Sequence, residues 1–128
     1  MLCPVCKKSM IILEYQNIEI DYCTNCHGSW LDRGELEFLL SADTDLLDIE
    51  HIRQGKKGDR KCPRCRKRMR EQPFPSTDIQ IDACPDDGGI WLDGGELESI
   101  AASRSDTESV QRITQFFNAE IENQPREG

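Results

Sequence analysis

Short alternating runs dominate the hydrophobic pattern of this chain. Ile18, Ile20 and Tyr22 alternate with Glu19 and Asp21, the period of two expected of a strand with one buried face. The apolar stretch Met10 to Tyr15 precedes them. Gln16-Asn17 lies between, and Asn tolerates left-handed backbone, so the pattern predicts a hairpin. The alternation returns in Ile79, Ile81 and Ala83 against Asp78, Gln80 and Asp82. Pro73 and Pro75 sit where the strand before it ends, so this second hairpin is expected to close through an irregular loop.

Helical signals punctuate these runs. Asp32-Arg33-Gly34-Glu35 and Asp93-Gly94-Gly95-Glu96 read as helix starts, the aspartate capping free amides and the glutamate reaching back as in a capping box. Two carboxylates at that spacing also resemble an acid/base pair, but their recurrence at a second helix start favours capping. Ala42 to Arg53 reads as a helix with Leu46, Leu47, Ile49 and Ile52 on its apolar side, and residues 54–59 as a flexible break. Ser105-Asp106-Thr107-Glu108 opens a last helix, with Val110, Ile113, Phe117 and Ile121 at helical spacing. Its apolar stripe docks on the rest of the chain, joins a second copy, or fills a partner's groove.

The elements fall into one unit used twice. Cys23-Thr24-Asn25-Cys26-His27-Gly28-Ser29-Trp30-Leu31-Asp32-Arg33-Gly34-Glu35-Leu36 is nearly repeated as Cys84-Pro85-Asp86-Asp87-Gly88-Gly89-Ile90-Trp91-Leu92-Asp93-Gly94-Gly95-Glu96-Leu97. Cys3-Pro4-Val5-Cys6 and Cys62-Pro63-Arg64-Cys65 stand upstream of the two copies. The fourth cysteine of the first copy, Cys26, is replaced by Asp87 in the second.

Size makes those cysteines decisive. A repeat of about 40 residues, in a chain of 128 with 37% hydrophobic residues and a mean hydropathy of −0.63, seldom folds without a staple. Paired CxxC spacing, an odd total of seven cysteines and a start at Met1-Leu2-Cys3 without a basic, apolar leader favour metal over disulfides, and a cytoplasmic, soluble protein. Cys3, Cys6, Cys23 and Cys26, with sixteen residues between the pairs, predict a closed tetrahedral Zn²⁺ site. With four thiolates present, His27 beside Cys26 is expected to face solvent or bond backbone. The second site is expected from Cys62, Cys65, Cys84 and Asp87, a carboxylate being an accepted zinc ligand. Asp86, the remote His51 or water are alternative fourth ligands, and an empty site is a further one. Two Zn²⁺ ions are expected, and closed sites predict structural metal and no enzymatic activity. A deaminase would need His-x-Glu before its Pro-Cys-x-x-Cys, which His27-Gly28-Ser29 and His51-Ile52-Arg53 do not supply. Trp30 and Trp91 are expected to cover the knuckles and form much of the core.

The string CPxC, then IxIDxC, then CxGxWLDxGEL resembles the bacterial zinc ribbons grouped as transcription factor IIB-type zinc-finger domains. It spans residues 3–40, through Asp21, Gly28, Trp30, Leu31, Asp32, Gly34, Glu35 and Leu36, and a second copy follows over 62–100. The resemblance implies a zinc ribbon fold and a nucleic-acid or transcription role.

Charge qualifies that role. The formal net charge is −8, and loading seven thiolates with two Zn²⁺ ions makes it about −11, a field that opposes non-specific nucleic-acid binding. Yet ten of the sixteen basic residues lie between Arg53 and Arg70, with Asp59 the one acid there. Lys56, Lys57, Arg60, Lys61, Arg64, Arg66, Lys67, Arg68 and Arg70 are thus the expected nucleic-acid contacts, unless the chain's own acids neutralise them or they form a solvated face. The expected architecture is a small, metal-stapled α+β chain of tandem ribbons, each a β-hairpin with two knuckles and a helix: 1–41 ribbon, 42–58 helical linker, 59–103 ribbon, 104–128 C-terminal amphipathic helix. The expected partner is a nucleic acid or a protein, or a second copy through the last helix; no apolar run suits a membrane.

Overall fold

A computed structural model of the chain describes residues 1–39, 47–75, 77–103, 111–112 and 115–116. The first hairpin is β1 (Ile11–Tyr15) and β2 (Ile18–Tyr22), paired from Ile11 opposite Tyr22 to Tyr15 opposite Ile18. Gln16 and Asn17 both hold positive φ, 50° and 68°, the double left-handed turn that matches strand twist. Ser29–Leu31 forms β3, and α1 spans Glu35–Leu39. After α2 (Ile49–Arg53) come β4 (Lys56–Lys61), β5 (Arg68–Pro73), β6 (Gln80–Ala83), β7 (Ile90–Leu92) and α3 (Glu96–Ser103). The β5–β6 connection is irregular, as the prolines predict, and is tied by the Phe74 N–H to the Ile79 carbonyl at 2.7 Å.

The strands form one antiparallel sheet in the order β1-β2-β3-β7-β6-β5-β4. The repeats meet at its centre, where β3 pairs with β7 and Trp30 lies directly opposite Trp91. A residue in the first copy of Cys-x-x-Cys/Asp-x-Gly corresponds to one 61 positions later in the second, so the Trp pair marks an approximate two-fold axis. The alternation along each strand sorts two apolar layers. Leu13, Ile18, Ile20, Tyr22 and Leu31 face a core closed by Leu36 and Leu39 of α1 and Leu97 and Ile100 of α3. On the other face, Trp30, Trp91 and Met69 pack with Cys3, Cys23, Cys62 and Cys84. Both tryptophans are fully buried, and each such side chain contributes roughly 1.5–3 kcal/mol of transfer free energy.

Three expectations change. Residues 54–59 are not a flexible break, because Lys56–Lys61 is strand β4 on the outer edge of β5. Half of each capping box holds: the glutamates reach back as expected, the Asp32 N–H donating to Glu35 Oε1 and the Asp93 N–H to Glu96 Oε1, both at 2.7 Å, but among the described residues the Asp32 and Asp93 carboxylates turn to the indoles and not to helix amides. Sheet also outweighs helix, since α1 and α2 have five residues each. Of the 42–53 helix, Ile49–Arg53 is observed with Asp48 as N-cap, and residues 42–46 lie outside the described residues. Of the expected C-terminal helix over 104–128, 111–112 and 115–116 are helical and Phe116 packs on Tyr15 at 4.9 Å; Val110, Ile113, Phe117 and Ile121 lie outside the described residues.

Candidate metal centres

Four loops of one design carry the candidate ligands. In each, the N–H of the residue after the second ligand donates to the carbonyl of the first cysteine: Lys7 to Cys3, His27 to Cys23, Arg66 to Cys62, Gly88 to Cys84, at 2.8–3.0 Å. Those four residues have φ between 61° and 75°, left-handed backbone that the tight loop imposes. In each loop the second ligand's N–H points at the first cysteine's sulfur, from Cys6, Cys26, Cys65 and Asp87, at 3.2–3.5 Å. Such amides favour thiolate over thiol. The Asp87 loop is therefore built like the three others, with only its second ligand changed.

The hairpins bring the loops together in pairs. Donor atoms of Cys3, Cys6, Cys23 and Cys26 lie within 4.8 Å of one another, and so do those of Cys62, Cys65, Cys84 and Asp87. The Cys3–Cys26 and Cys65–Cys84 sulfurs are 3.7 and 3.5 Å apart. A tetrahedron with Zn–S bonds of about 2.3 Å has edges of about 3.8 Å, so the spacing suits a zinc-sized centre. Asp87 is held for a single-oxygen role. Its Oδ1 accepts from the Gly89 N–H at 2.9 Å, and its Oδ2 lies 3.3 Å from the Cys62 sulfur.

The other proposed fourth ligands lie elsewhere. Asp86 is exposed and paired with Lys67 at 2.5 Å. His51 is exposed on α2 and belongs to neither cluster. His27 is exposed, as expected, and its Nδ1 is 2.7 Å from the Tyr22 hydroxyl, a contact that the sequence did not suggest.

Without a cation, burial pushes the Cys3, Cys26 and Cys62 thiols up, and Cys84 to about 11. The Asn25 amide, 3.1 Å from the Cys6 sulfur, pulls Cys6 down. A cation that binds here displaces protons, so loading is favoured as pH rises.

A sequence profile described as "Transcription factor zinc-finger" matches residues 2–42 and 61–103. The chain belongs to this transcription factor zinc-finger family. Its two matched segments are the two structural units, and their cysteine-rich clusters fit two zinc ions. Searches of curated proteins and of solved structures gave no match.

Within these tandem ribbons half of the basic band bonds other parts of the fold. Arg60 bonds Asp82 at 3.1 Å and Asp93 at 2.8 Å. Arg64 grips Asp32 of the other unit with both Nε and Nη2, the latter at 2.6 Å. Lys67 takes Asp86, Arg53 donates to the Pro85 carbonyl, and Arg70 to the Gly55 carbonyl. Lys56, Lys57, Lys61, Arg66 and Arg68 are exposed and have no ion pair among the described residues. Asp32 and Asp93 thus do more than start helices. Each accepts from its own tryptophan, Trp30 at 3.2 Å and Trp91 at 3.1 Å, and from one arginine of unit 2. Their repetition beside tryptophan was visible in the sequence; the arginines were not. Among the described residues, no helix is long and apolar enough to cross a membrane.

Proposed function

We propose that the chain is a non-enzymatic protein-interaction module stapled by two structural zinc ions. Cys3, Cys6, Cys23 and Cys26 hold one ion; Cys62, Cys65, Cys84 and Asp87 hold the other. Four protein donors at each centre fill a tetrahedral shell and leave no place for a substrate. The observation that carries the protein-partner reading is the internal use of Arg60, Arg64 and Lys67 by Asp82, Asp93, Asp32 and Asp86. Those cations are spent within the fold, and a chain of net charge −8 repels a phosphate backbone at long range. The family description supports a transcription-related setting.

One observation favours nucleic acid as a second reading. Lys7, Lys61 and Arg66 line a cleft of about 410 Å³ between Pro4 and Pro63, with the knuckles of both units on its walls. Titration of zinc-loaded protein onto labelled duplex and single-stranded nucleic acid over a range of salt separates the two readings. The protein-interaction reading expects no specific binding. Tight binding with a steep salt slope that falls in Lys61→Glu and Arg66→Glu overturns it.

A further inference from the structure

The two units differ at their outer edges. In unit 2, β4 covers β5, with Lys56 opposite Glu71, Lys57 opposite Arg70 and Lys61 opposite Arg68. In unit 1 the matching ladder has Leu2 opposite Ser9 and the Met10 N–H on the Met1 carbonyl. Beyond these, β1 is an edge strand and pairs only with β2 among the described residues. Alternate residues of an antiparallel strand aim their backbone groups at opposite edges. Since Met10 points outward, Ile12 and Glu14 do too. Ile12 is 63% exposed, the highest value among the described large apolar side chains. Its counterpart Glu71 touches Gly58 of β4, whose Cβ position would lie 2.9 Å from the Glu71 side chain.

The clefts beside the two edges correspond at six of the eight residues that line each. In unit 2, Arg60 of β4 enters a cleft of about 390 Å³ and bonds Asp82 and Asp93 beside Glu96. In unit 1 the cleft is larger, about 540 Å³, and Met1 stands in the place of Arg60. Glu19, Asp21, Asp32 and Glu35 line it with two cations, the Met1 ammonium, which acts on Asp21 by charge alone, and Arg64, which bonds Asp32. Asp21, the counterpart of Asp82, has no ion-pair partner among the described residues. The fold thus contains one copy of this cleft with a guanidinium on its inner acid and one with Met1 in that place, and the first copy describes the ligand.

We propose that the outer edge of β1 accepts an extended, arginine-bearing segment of a partner protein as an added antiparallel strand, its guanidinium on Asp21 as Arg60 lies on Asp82. This deepens the protein-interaction reading and rests on it. Main-chain bonds to Ile12 and Glu14 supply affinity, a small residue over Ile12 supplies fit, and the acidic cleft selects the charge.

The probe is a synthetic peptide copying residues 54–61, added to the full zinc-loaded chain and followed by amide NMR and hydrogen exchange. Expected are shifts and added protection at Ile12 and Glu14, whose N–H groups lie beyond the Met1–Met10 bond. A peptide carrying Arg60→Glu should bind about tenfold more weakly or worse. In the protein, Ile12→Pro removes an outward N–H while leaving the β1–β2 ladder intact, and should abolish binding. If that variant loses zinc or its tryptophan signal, Ile12→Lys tests the same edge by charge repulsion. No binding overturns the proposal. So does binding that ignores both Ile12 and the peptide's arginine, or protection of β1 by self-association without peptide. Failure here with no nucleic-acid binding leaves the interaction module standing and removes only its β1 site. Steep, salt-dependent nucleic-acid binding removes the module reading itself.

Discussion

Trp91 lies against Gly28, so close that a Cβ on Gly28 would sit 2.2 Å from the indole. The contact is reciprocated: a Cβ on Gly89 would sit 2.1 Å from Trp30. Each repeat thus uses the other's knuckle glycine as the seat for its own tryptophan, and this exchange joins the two ribbons across β3 and β7.

Gly28→Ala and Gly89→Ala should each destabilise the chain by about 1–3 kcal/mol or more, because rigid backbone and a buried ring cannot both give way. Gly34→Ala has open space but φ of 91°, and should cost about 1 kcal/mol through strain alone. Denaturant unfolding followed by tryptophan emission ranks the three. Equal losses at Gly28 and Gly34 would show that the ring contact contributes nothing.

Metal content tests the ligand sets. Native mass spectrometry should count two zinc ions per chain. Asp87→Ala should release one ion at a lower chelator concentration while the four-cysteine site keeps its own. Asp87→Cys should tighten the second site, thiolate being the stronger zinc donor. Full chelation should unfold the small units that zinc staples. Two equally tight ions in Asp87→Ala would move the fourth ligand elsewhere.

Arg60 and Arg64 make similar ion pairs in different surroundings. Asp82 is 6% exposed and burial pushes its carboxyl up, an effect that Arg60 opposes. Arg60→Ala leaves that buried acceptor without its cation and should cost about 1–3 kcal/mol. Arg64 and Asp32 are both exposed by 40% or more of their side chains, so Arg64→Ala should cost about 1 kcal/mol or less. Thermal unfolding of both variants at one pH and salt gives the order; a larger loss at Arg64 would contradict it.

Glu96 gives the fold a pH dependence. Burial raises its carboxyl from 4.5 to about 7. A raised acid binds more protons folded than unfolded, so its contribution is full below 4.5 and is lost as pH rises towards 7. Glu96→Gln keeps an oxygen for the Asp93 N–H and removes the charge. The variant should therefore gain on wild type as pH rises through that window, by about 1 kcal/mol because solvent screens a half-exposed group. Stability curves of the two proteins that stay parallel from pH 5 to 8 would refute this assignment.

The sequence by itself determined the local units. Ligand spacing, the strand alternation from Ile18 to Tyr22 and the turn at Gln16-Asn17 are short-range facts, and backbone sterics and metal geometry read them directly. The loss of Cys26's counterpart to Asp87 was equally plain, and the matching loop geometry followed. Only the tertiary structure decided how the units combine. Trp30 opposite Trp91 depends on two segments 61 residues apart meeting in one sheet, and no local periodicity encodes that encounter. The same holds for β4: Lys56–Lys61 is polar and glycine-containing, and becomes a strand because β5 offers an edge and Asp82 and Asp93 offer Arg60 a charge partner. Arg60, Arg64 and Lys67 of the basic band were redirected for the same reason, since an ion pair forms wherever folding brings opposite charges together and the sequence order of the charges does not say where.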